Sequence, residues 1–364
     1  MTLALICLCV GFFIFGLSTW LSPLLAWIIY SWQKVSPASV TQVSKLPLSL
    51  DILIPAHGEK ESLPLTLSAM RKLKHVGFSK LKLCVGLSHW VGEEALKASQ
   101  LADQTIAINE PGKWRALVAL IENSTADWVA LVDSGTLWPE DMLIQLKDHF
   151  DDSEVMAINP RYSEAQSGIM QKFVWGLESH LKNVENLSGG PISLHGSTIL
   201  YRRKELQEVI TLLKGHDWWN DDVVVPLMLR KLNPSKKIIY AVNTAIVDMF
   251  PASNTSELKR RKRVLFGNLQ WVQSFLPGLL KSSQLLSTLA LRRIARMLWA
   301  WAISFVCLGI LLLQPTLILV FAVIAATLAA MPKGRRLYEA FWVSLMMPIY
   351  FVFHKSDLGK VSWK

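Results

Sequence analysis

Long uncharged runs lie near both ends of the chain, and a polar middle separates them. Residues 1–33 carry no charged side chain, and Lys34 is the first charge. A bilayer core of about 30 Å is crossed by roughly 20 apolar residues in a helix, so this run predicts an N-terminal transmembrane anchor. Its start is not basic and its apolar core is long, which favours a retained anchor over a cleaved signal peptide.

A second uncharged run, 297–331, is long enough for a tight transmembrane hairpin that turns at Gln314 and Pro315. Basic residues flank both of its ends, namely Arg292, Arg293, Arg296, Lys333, Arg335 and Arg336. Because positively charged flanks tend to stay in the cytosol, the pattern predicts that both ends of the hairpin are cytosolic. The polar middle of the chain is then cytosolic as well.

Two further segments are expected to contact the membrane. Residues 276–296 have the mixed pattern of an interfacial amphipathic helix. Residues 337–354 predict a third apolar helix, either re-entrant or transmembrane. The re-entrant form is favoured because a full crossing would leave the Lys-containing tail, 355–364, outside the cytosol.

The polar middle, residues 44–275, alternates short β-rich segments with helical patterns. The β-rich segments read LSLDILIPAH, LKLCVGLS, TIAIN, WVALVDS and EVMAINP. This alternation predicts an α/β domain with a mostly parallel sheet and helices on both faces. Ligands of such sheets bind beyond the carboxyl ends of the strands, so we expect the chemistry at residues 55–59 and 133–136.

The composition is that of a membrane protein, because 51% of the 364 residues are hydrophobic and only 18% are charged. The formal net charge of +10 suits anionic lipid or a phosphorylated substrate. Basic residues at the ends of the apolar runs favour membrane lipids over nucleic acid as the partner. Four cysteines are too few for a disulfide scaffold, and the lack of a P-loop or dinucleotide fingerprint disfavours an ATPase or a dehydrogenase.

Six polar motifs follow one another through the middle of the chain. They read IPAHGEKESL, PGKWRAL, ALVDSGTLWPEDML, SLHGSTILYRRKEL, WNDDVVVPLMLRKL and ELKRRKRVLFGNLQWV. Over residues 50–273 this order resembles the membrane-bound family 2 glycosyltransferases of the processive type, the group of cellulose, chitin and hyaluronan synthases. The resemblance implies a GT-A-type nucleotide-sugar-binding domain between N-terminal and C-terminal transmembrane helices. It also implies transfer of a sugar, with inversion, to an acceptor hydroxyl.

On the acceptor side, the resemblance assigns the acidic pair of the NDDVV motif. Asp222 matches the general base of the family, and Asp221 lies beside it on the acceptor side. A direct displacement needs such a carboxylate to accept the proton of the attacking hydroxyl. The alternative is that the two acids only cap the helix that follows them. Gly196 and Arg202 match the strand that lines the acceptor, where a glycine permits close approach of a sugar.

On the donor side, the resemblance implies that matching cations hold the nucleoside diphosphate. Lys113 matches a Gly-Lys element, and Arg260 and Arg263 match two positions of a (Q/R)xxRW element whose tryptophan is replaced here by Val264. The alternative for Lys113 is an ordinary exposed lysine at a helix start. The alternative for the two arginines is a solvated or lipid-facing basic surface. The loop that borders the nucleobase and ribose is matched by Pro55, Ala56 and Glu59.

Two departures from the family pattern affect the donor site. The family usually carries a DxD motif that binds a divalent metal, Mg²⁺ or Mn²⁺, after the fourth strand. Here the motif reads Asp133-Ser134-Gly135, so Asp133 is the remaining candidate metal ligand, and metal dependence is in doubt. The second strand ends in the sequence VGLSHW at 85–90 instead of an acidic residue. A UDP-sugar is the favoured donor, but the base is left open.

Two functions fit these observations. The first is an inverting glycosyltransferase that uses a lipid or glycan acceptor in cell-surface polysaccharide or glycolipid synthesis, at a bacterial inner membrane and with its catalytic domain in the cytoplasm. The second is a non-catalytic homologue that binds a nucleotide, a glycan or a partner enzyme. Large synthases surround a channel with more helices than this chain offers, so we expect transfer of one or a few sugars, or partner subunits.

Overall fold

The computed structural model describes residues 1–33, 48–74, 77–88, 93–109, 112–165, 168–249, 254–330 and 332–353. The chain divides into two compact units, which we call the helical unit and the α/β unit. The helical unit comprises Met1–Ile29 with Ala252–Ser362, and the α/β unit is centred on Tyr30–Pro251. The predicted tail 355–364 lies outside the described residues.

The strands found among the described residues belong to one eight-stranded sheet. In chain order they are β1 (Leu48–Ala56), β2 (Phe78–Ser88), β3 (Gln104–Ile108), β4 (Trp128–Val132), β5 (Thr136–Leu137), β6 (Val155–Glu164), β7 (Thr198–Arg202) and β8 (Lys237–Asp248). Their order across the sheet is β3-β2-β1-β4-β7-β6-β8-β5.

Fifteen α-helices occur in the described part of the chain. They are α1 (Thr2–Ser18), α2 (Leu21–Trp32), α3 (Ser62–Met70), α4 (Glu93–Leu101), α5 (Lys113–Glu122), α6 (Met142–Gln145), α7 (Lys147–Asp151), α8 (Ile169–Glu185), α9 (Arg203–Leu213), α10 (Asp221–Leu232), α11 (Asn254–Ser282), α12 (Gln284–Met297), α13 (Trp299–Leu313), α14 (Ile318–Ala330) and α15 (Pro332–Phe353).

The centre of the sheet is apolar and aligns the strand ends that matter for chemistry. All residues of β4 are buried, as expected for a strand covered on both faces. β1 is parallel to both of its neighbours, with Leu53 opposite Cys84 of β2 and Leu131 of β4. The carboxyl ends of these three strands therefore meet at one edge, which carries the segments 55–59 and 133–136.

The predicted α/β fold with a mostly parallel sheet is confirmed, although the sheet is mixed. β3, β2, β1 and β4 are parallel, and so are β6 and β8. β7 lies between β4 and β6 and is antiparallel to both, and β5 is antiparallel to β8. The local hydrophobic pattern does not predict these antiparallel pairs, because they join strands that are distant in the chain.

In the helical unit, the run predicted as one N-terminal anchor forms two helices. α1 and α2 meet at an angle of 59°, and α12 and α13 meet at 66°. No single described helix is both long enough and apolar enough to cross a bilayer, whereas each of these bent pairs meets the length and composition needed. Pro23 explains the first break, because a proline cannot donate to the carbonyl oxygen four residues earlier and its ring crowds that group.

The other predicted membrane segments also differ in detail from the structure. Gln314 separates α13 from a single 3-10 turn at Pro315–Leu317, which leads into α14. The predicted amphipathic helix 276–296 is divided between the end of α11 and α12, which begins after a cap formed by the Ser283 side chain. The apolar segment 337–353 lies within α15, and residue 354 is outside the described part.

Candidate active site

Three charged side chains from different elements of the α/β unit meet beside the carboxyl end of β4. Asp133 directly follows β4, Lys113 is the first residue of α5, and Asp221 is the first residue of α10. The Lys113 Nζ atom lies 2.8 Å from Oδ1 of Asp133 and 3.8 Å from Oδ2 of Asp221. The structure thus brings together a predicted donor-side cation, the candidate metal ligand and one acid of the predicted pair.

A second contact ties α5 to the loop before α10. Gly112 precedes α5 with a φ of 148°, a conformation that favours glycine. Arg115, in the first turn of α5, donates hydrogen bonds of 2.9 and 2.7 Å from Nε and Nη2 to the two carboxylate oxygens of Asp217. This bidentate pair is exposed and adds little stability, but it orients the two segments that carry Lys113 and Asp221.

The first turn of α10 contains both predicted acids, where the helix dipole favours negative charge. The N-cap residue is Asn220, and no side chain forms a capping hydrogen bond there. Asn220, and not either acid, occupies the N-cap position, and the alternative that Asp221 and Asp222 only stabilise the start of this helix stays open beside the predicted catalytic role.

A proline in α10 connects the predicted base to the segment 189–197, which precedes β7 and which we call the acceptor-side loop. Pro226 lies four residues after Asp222 and has no N–H to donate to the Asp222 carbonyl oxygen. That oxygen accepts a hydrogen bond of 2.9 Å from the backbone N–H of Leu194 instead. A Cβ atom built on nearby Gly196 would lie 3.6 Å from Cβ of Asp222. The predicted acceptor-side glycine and the predicted base are therefore neighbours, and a methyl group at position 196 would be in van der Waals contact with Asp222.

Asn159 of β6 fixes the same loop from the other side. Its Nδ2 donates to the carbonyl oxygens of His195 and Thr198, at 3.1 and 2.7 Å. Its Oδ1 accepts from the backbone N–H of His195 at 3.0 Å. Sequence analysis missed this residue, although a polar asparagine within the apolar segment EVMAINP was a usable signal; the structure buries it completely.

Asp221 has a strongly perturbed acidity. Burial raises the pKa of its carboxyl, the Lys113 ammonium lowers it, and the charges of Asp222 and Asp133 raise it, leaving a pKa of about 6. Asp222 is partly exposed and faces Gly196. The two adjacent acids therefore have different neighbours: Asp221 lies near the Lys113 ammonium, and Asp222 lies beside Gly196.

The loop after β1 closes on itself and contacts the end of β2. Glu59 accepts a hydrogen bond from the backbone N–H of His57, and Nδ1 of His57 lies 3.2 Å from Oγ of Ser88. Ala56 is buried, and Pro55 and Glu59 are half-buried. The three predicted nucleobase-loop residues thus line the same sheet edge as Asp133. Trp90, the last residue of the VGLSHW segment, lies outside the described residues.

The structure does not bring Arg202 to this cluster. Arg202 pairs with Trp128 at the opposite end of β4 from Asp133. Its guanidinium donates to the carbonyl oxygens of Val155, Phe150 and Asp152, and lies 4.8 Å from the centre of the Trp128 ring. Arg202 therefore anchors the sheet, and the predicted acceptor-side position is corrected.

The two arginines of the ELKRRKR motif lie on α11 of the helical unit. Arg263 is exposed, and the side chain of Arg260 is outside the described part of the structure. Their role in binding the donor stays a prediction.

The residues after β4 do not fit a divalent metal ion. Gly135 offers no carboxylate, and its φ of 97° lies in the left-handed region that L side chains rarely adopt. Asp133 is ion-paired with Lys113. Within the described residues, no group of three or more His, Cys, Asp or Glu side chains is placed to hold a metal. Mg²⁺ and Mn²⁺ prefer carboxylate oxygens together with substrate phosphates, and the carboxylate of Asp133 is here paired with an ammonium.

Comparisons with known proteins agree with this fold. The chain is similar in structure to a mannosyltransferase from Pyrobaculum calidifontis, solved in complex with GDP-Man and Mn²⁺, with a TM-score of 0.61 and 15% sequence identity; the match covers 93% of this chain and 99% of that chain. A weaker likeness, with a TM-score of 0.44 and 13% identity, is to glucosyl-3-phosphoglycerate synthase from Mycobacterium tuberculosis, over 62% of this chain and 78% of that chain. No curated protein matches the sequence.

The family itself is shown by sequence. The family model described as "Glycosyl transferase family group 2" matches residues 128–333, which is more than half of the chain. This range includes the carboxylates of the site and the strands β4 to β8. The chain therefore belongs to glycosyl transferase family group 2, and its α/β unit is a nucleotide-sugar glycosyltransferase domain of GT-A-like fold.

Proposed function

We propose that the protein is an inverting, membrane-associated glycosyltransferase that moves a sugar from a nucleotide-sugar to a lipid or glycan acceptor. The product is a cell-surface polysaccharide or glycolipid, and the α/β unit works on the cytoplasmic side of a bacterial inner membrane. The observation that carries the proposal is the partly exposed carboxylate of Asp222, which faces Gly196 at the start of α10.

In this proposal Asp222 acts as the general base. The acceptor hydroxyl gives its proton to the Asp222 carboxylate while its oxygen attacks the anomeric carbon. The bond from that carbon to the diphosphate oxygen breaks, and the nucleoside diphosphate leaves with the electron pair. Attack from the face opposite the leaving group inverts the anomeric carbon. The lack of a side chain at Gly196 gives an acceptor sugar access to the base.

The leaving diphosphate needs positive charge to meet its developing negative charge. Lys113 supplies an ammonium at the start of α5, where the helix N-terminus adds partial positive charge. Arg260 and Arg263 are proposed to assist it, because arginine holds phosphate oxygens bidentately. The donor is proposed to be a UDP-sugar on the family resemblance, with a GDP-sugar as the alternative because the similar mannosyltransferase was solved with GDP-Man.

The membrane association is supported by the helical unit. α1 and α13 approach closely at two glycines, because a Cβ on Gly11 would lie 2.6 Å from Val306 and a Cβ on Gly309 would lie 2.7 Å from Leu8. Small residues at such contacts are typical of packed membrane helices. Large apolar side chains of α1 stay exposed, including Phe12, Phe13 and Phe15. An exposed apolar surface of this kind is stabilised by lipid.

The test uses the detergent-purified full chain, a panel of UDP- and GDP-sugars and a bacterial lipid extract as the acceptor source. We expect nucleoside diphosphate release from one donor, and transfer of its labelled sugar to lipid or glycan. The Asp222→Asn variant should lose this activity. Asp148→Asn is the matched control, because Asp148 is an exposed acid in the first turn of α7. Equal transfer by wild type and Asp222→Asn would contradict the proposal.

A non-catalytic nucleotide-binding homologue is the second candidate, favoured by the glycine at position 135. The same assay distinguishes it. Binding of UDP or GDP without release from any donor, in the presence of the lipid extract, would favour this second function.

A further inference from the structure

We propose that the Lys113 ammonium takes the place of the divalent metal, so that the protein binds its nucleoside diphosphate without a metal ion. This inference rests on the proposed function, because it concerns the donor of that reaction. It follows from how the charges around Asp133 are arranged, and it departs from the metal dependence that the family resemblance implies.

The position of the ammonium is the first observation. Lys113 Nζ lies 2.8 Å from Asp133 and 3.8 Å from Asp221, so one cation bridges carboxylates from two different elements. The Lys113 side chain is 21% exposed and Asp221 is 13% exposed, whereas Asp133 is 41% exposed. The cation therefore lies between two acids and keeps about a fifth of its side chain exposed, through which a ligand phosphate can reach it.

The loop after β4 is the second observation. Thr66 Oγ1 accepts a hydrogen bond of 2.8 Å from the backbone N–H of Gly135, and the Gly135 carbonyl oxygen accepts one of 3.1 Å from the Met249 N–H. Ser62 and Ser134 are joined through their hydroxyls at 2.9 Å. These bonds fix Gly135 at its positive φ. The loop is thus built around a glycine, and a second carboxylate at this position would add backbone strain.

Competition for Asp133 is the third observation. The Lys113 ammonium already lies 2.8 Å from Oδ1 of this carboxylate. A divalent metal would have to compete with Lys113 for Asp133 and would find no second carboxylate on that loop. Lysine, in contrast, binds phosphate as a point charge and needs no further ligands. The residues present therefore suit a fixed organic cation better than a metal ion.

The test measures binding of UDP and GDP to the full chain in detergent, by calorimetry, with EDTA and with Mn²⁺. Free Mn²⁺ is followed in parallel by electron paramagnetic resonance without nucleotide. We expect the better nucleotide to bind with the same affinity, within about twofold, in both conditions, and no stoichiometric uptake of Mn²⁺. The Lys113→Met variant should lose about tenfold or more in nucleotide affinity, the size expected for one charge-assisted hydrogen bond. The control Lys72→Met, an exposed lysine beyond α3, should not change it.

The outcomes separate this inference from the proposed function. A loss of affinity of about tenfold in EDTA that Mn²⁺ restores would overturn the metal-free site and leave the transferase intact. Absence of nucleotide binding under every condition would overturn the proposed function, and this inference with it. The comparison of EDTA and Mn²⁺ uses the wild-type chain, so it shows whether nucleotide binding needs a metal ion even if Lys113→Met fails to fold.

Discussion

The two segments that meet at Lys113, the loop 133–136 and the first turn of α10, hold their carboxylates differently. The α10 turn keeps both acids that the family resemblance assigns. Because Pro226 has no N–H, the Asp222 carbonyl oxygen accepts a hydrogen bond from the backbone of the acceptor-side loop instead. The loop after β4 keeps one acid and has a glycine at a positive φ where the second would stand. In the proposed mechanism, acceptor activation and neutralisation of the donor's charge are therefore separable: the first relies on the two acids of α10, and the second relies on Lys113.

The largest effect is expected at the α10 turn. Asp222→Asn removes the proton acceptor and should lower kcat by about 10²- to 10⁴-fold, the range for a general base. Nucleotide affinity should stay within about twofold, because Asp222 is not one of the acids that hold Lys113. Calorimetry and a transfer assay on the same preparation check both values. A large loss of nucleotide affinity would place Asp222 on the donor side and remove the contrast between the two segments.

The acceptor-side loop should be the most sensitive to added volume. A Cβ on Gly190 would lie 1.7 Å from the carbonyl oxygen of Ile238, and the residue has a φ of 99°. Gly190→Ala should lower the free energy of unfolding by about 2–4 kcal/mol, through overpacking and backbone strain. Gly215→Ala is the control, because Gly215 has a φ of 103° with nothing within 4 Å of the added atom. It should cost about 1 kcal/mol. Equal decreases in melting temperature for Gly190→Ala and Gly215→Ala would show that the close approach at Gly190 does not affect stability.

The pH dependence of stability should report on Asp221. The pKa of Asp221 is about 6 in the folded protein, above its ordinary value, so the folded state binds this proton more tightly than the unfolded state. The contribution of Asp221 to stability therefore falls as the pH rises from about 4 to about 7, by about 1–3 kcal/mol. The melting temperature of the wild type, measured relative to that of Asp221→Asn, should fall as the pH rises from about 4 to about 7 and should stay constant at higher pH. A constant difference between the two proteins from pH 4 to pH 8 would contradict the raised pKa.

The smallest effect is expected for Gly135→Asp, which restores the usual acid after β4. We expect a loss of about 1 kcal/mol in the free energy of unfolding, from the positive φ. Mn²⁺ binding should not appear, because Lys113 still holds Asp133. Electron paramagnetic resonance of free Mn²⁺ measures whether the variant takes up the ion. Uptake of one Mn²⁺ per chain by the variant would show that the missing carboxylate alone had prevented metal binding.

The sequence predicted the mostly parallel sheet because the β-rich segments are local features, and the family resemblance predicted that Asp222 and Gly196 would lie on the same side of the site. It did not predict the position of Arg202, whose carbonyl partners lie about 50 residues away in the chain. It also did not predict that Lys113 would lie between Asp133 and Asp221, since these residues come from three separate elements. The break between α1 and α2 could have been foreseen from Pro23, although the apolar run hid it.

The most direct test of the account is the rate of nucleoside diphosphate release from the preferred donor in excess EDTA, with acceptor present. The account predicts release by the wild type at a rate within about twofold of that in Mg²⁺, and loss of release in Asp222→Asn. Release that stops in EDTA and returns with Mg²⁺ or Mn²⁺ would contradict the role given to Lys113. Release that survives in Asp222→Asn would contradict the role given to the base.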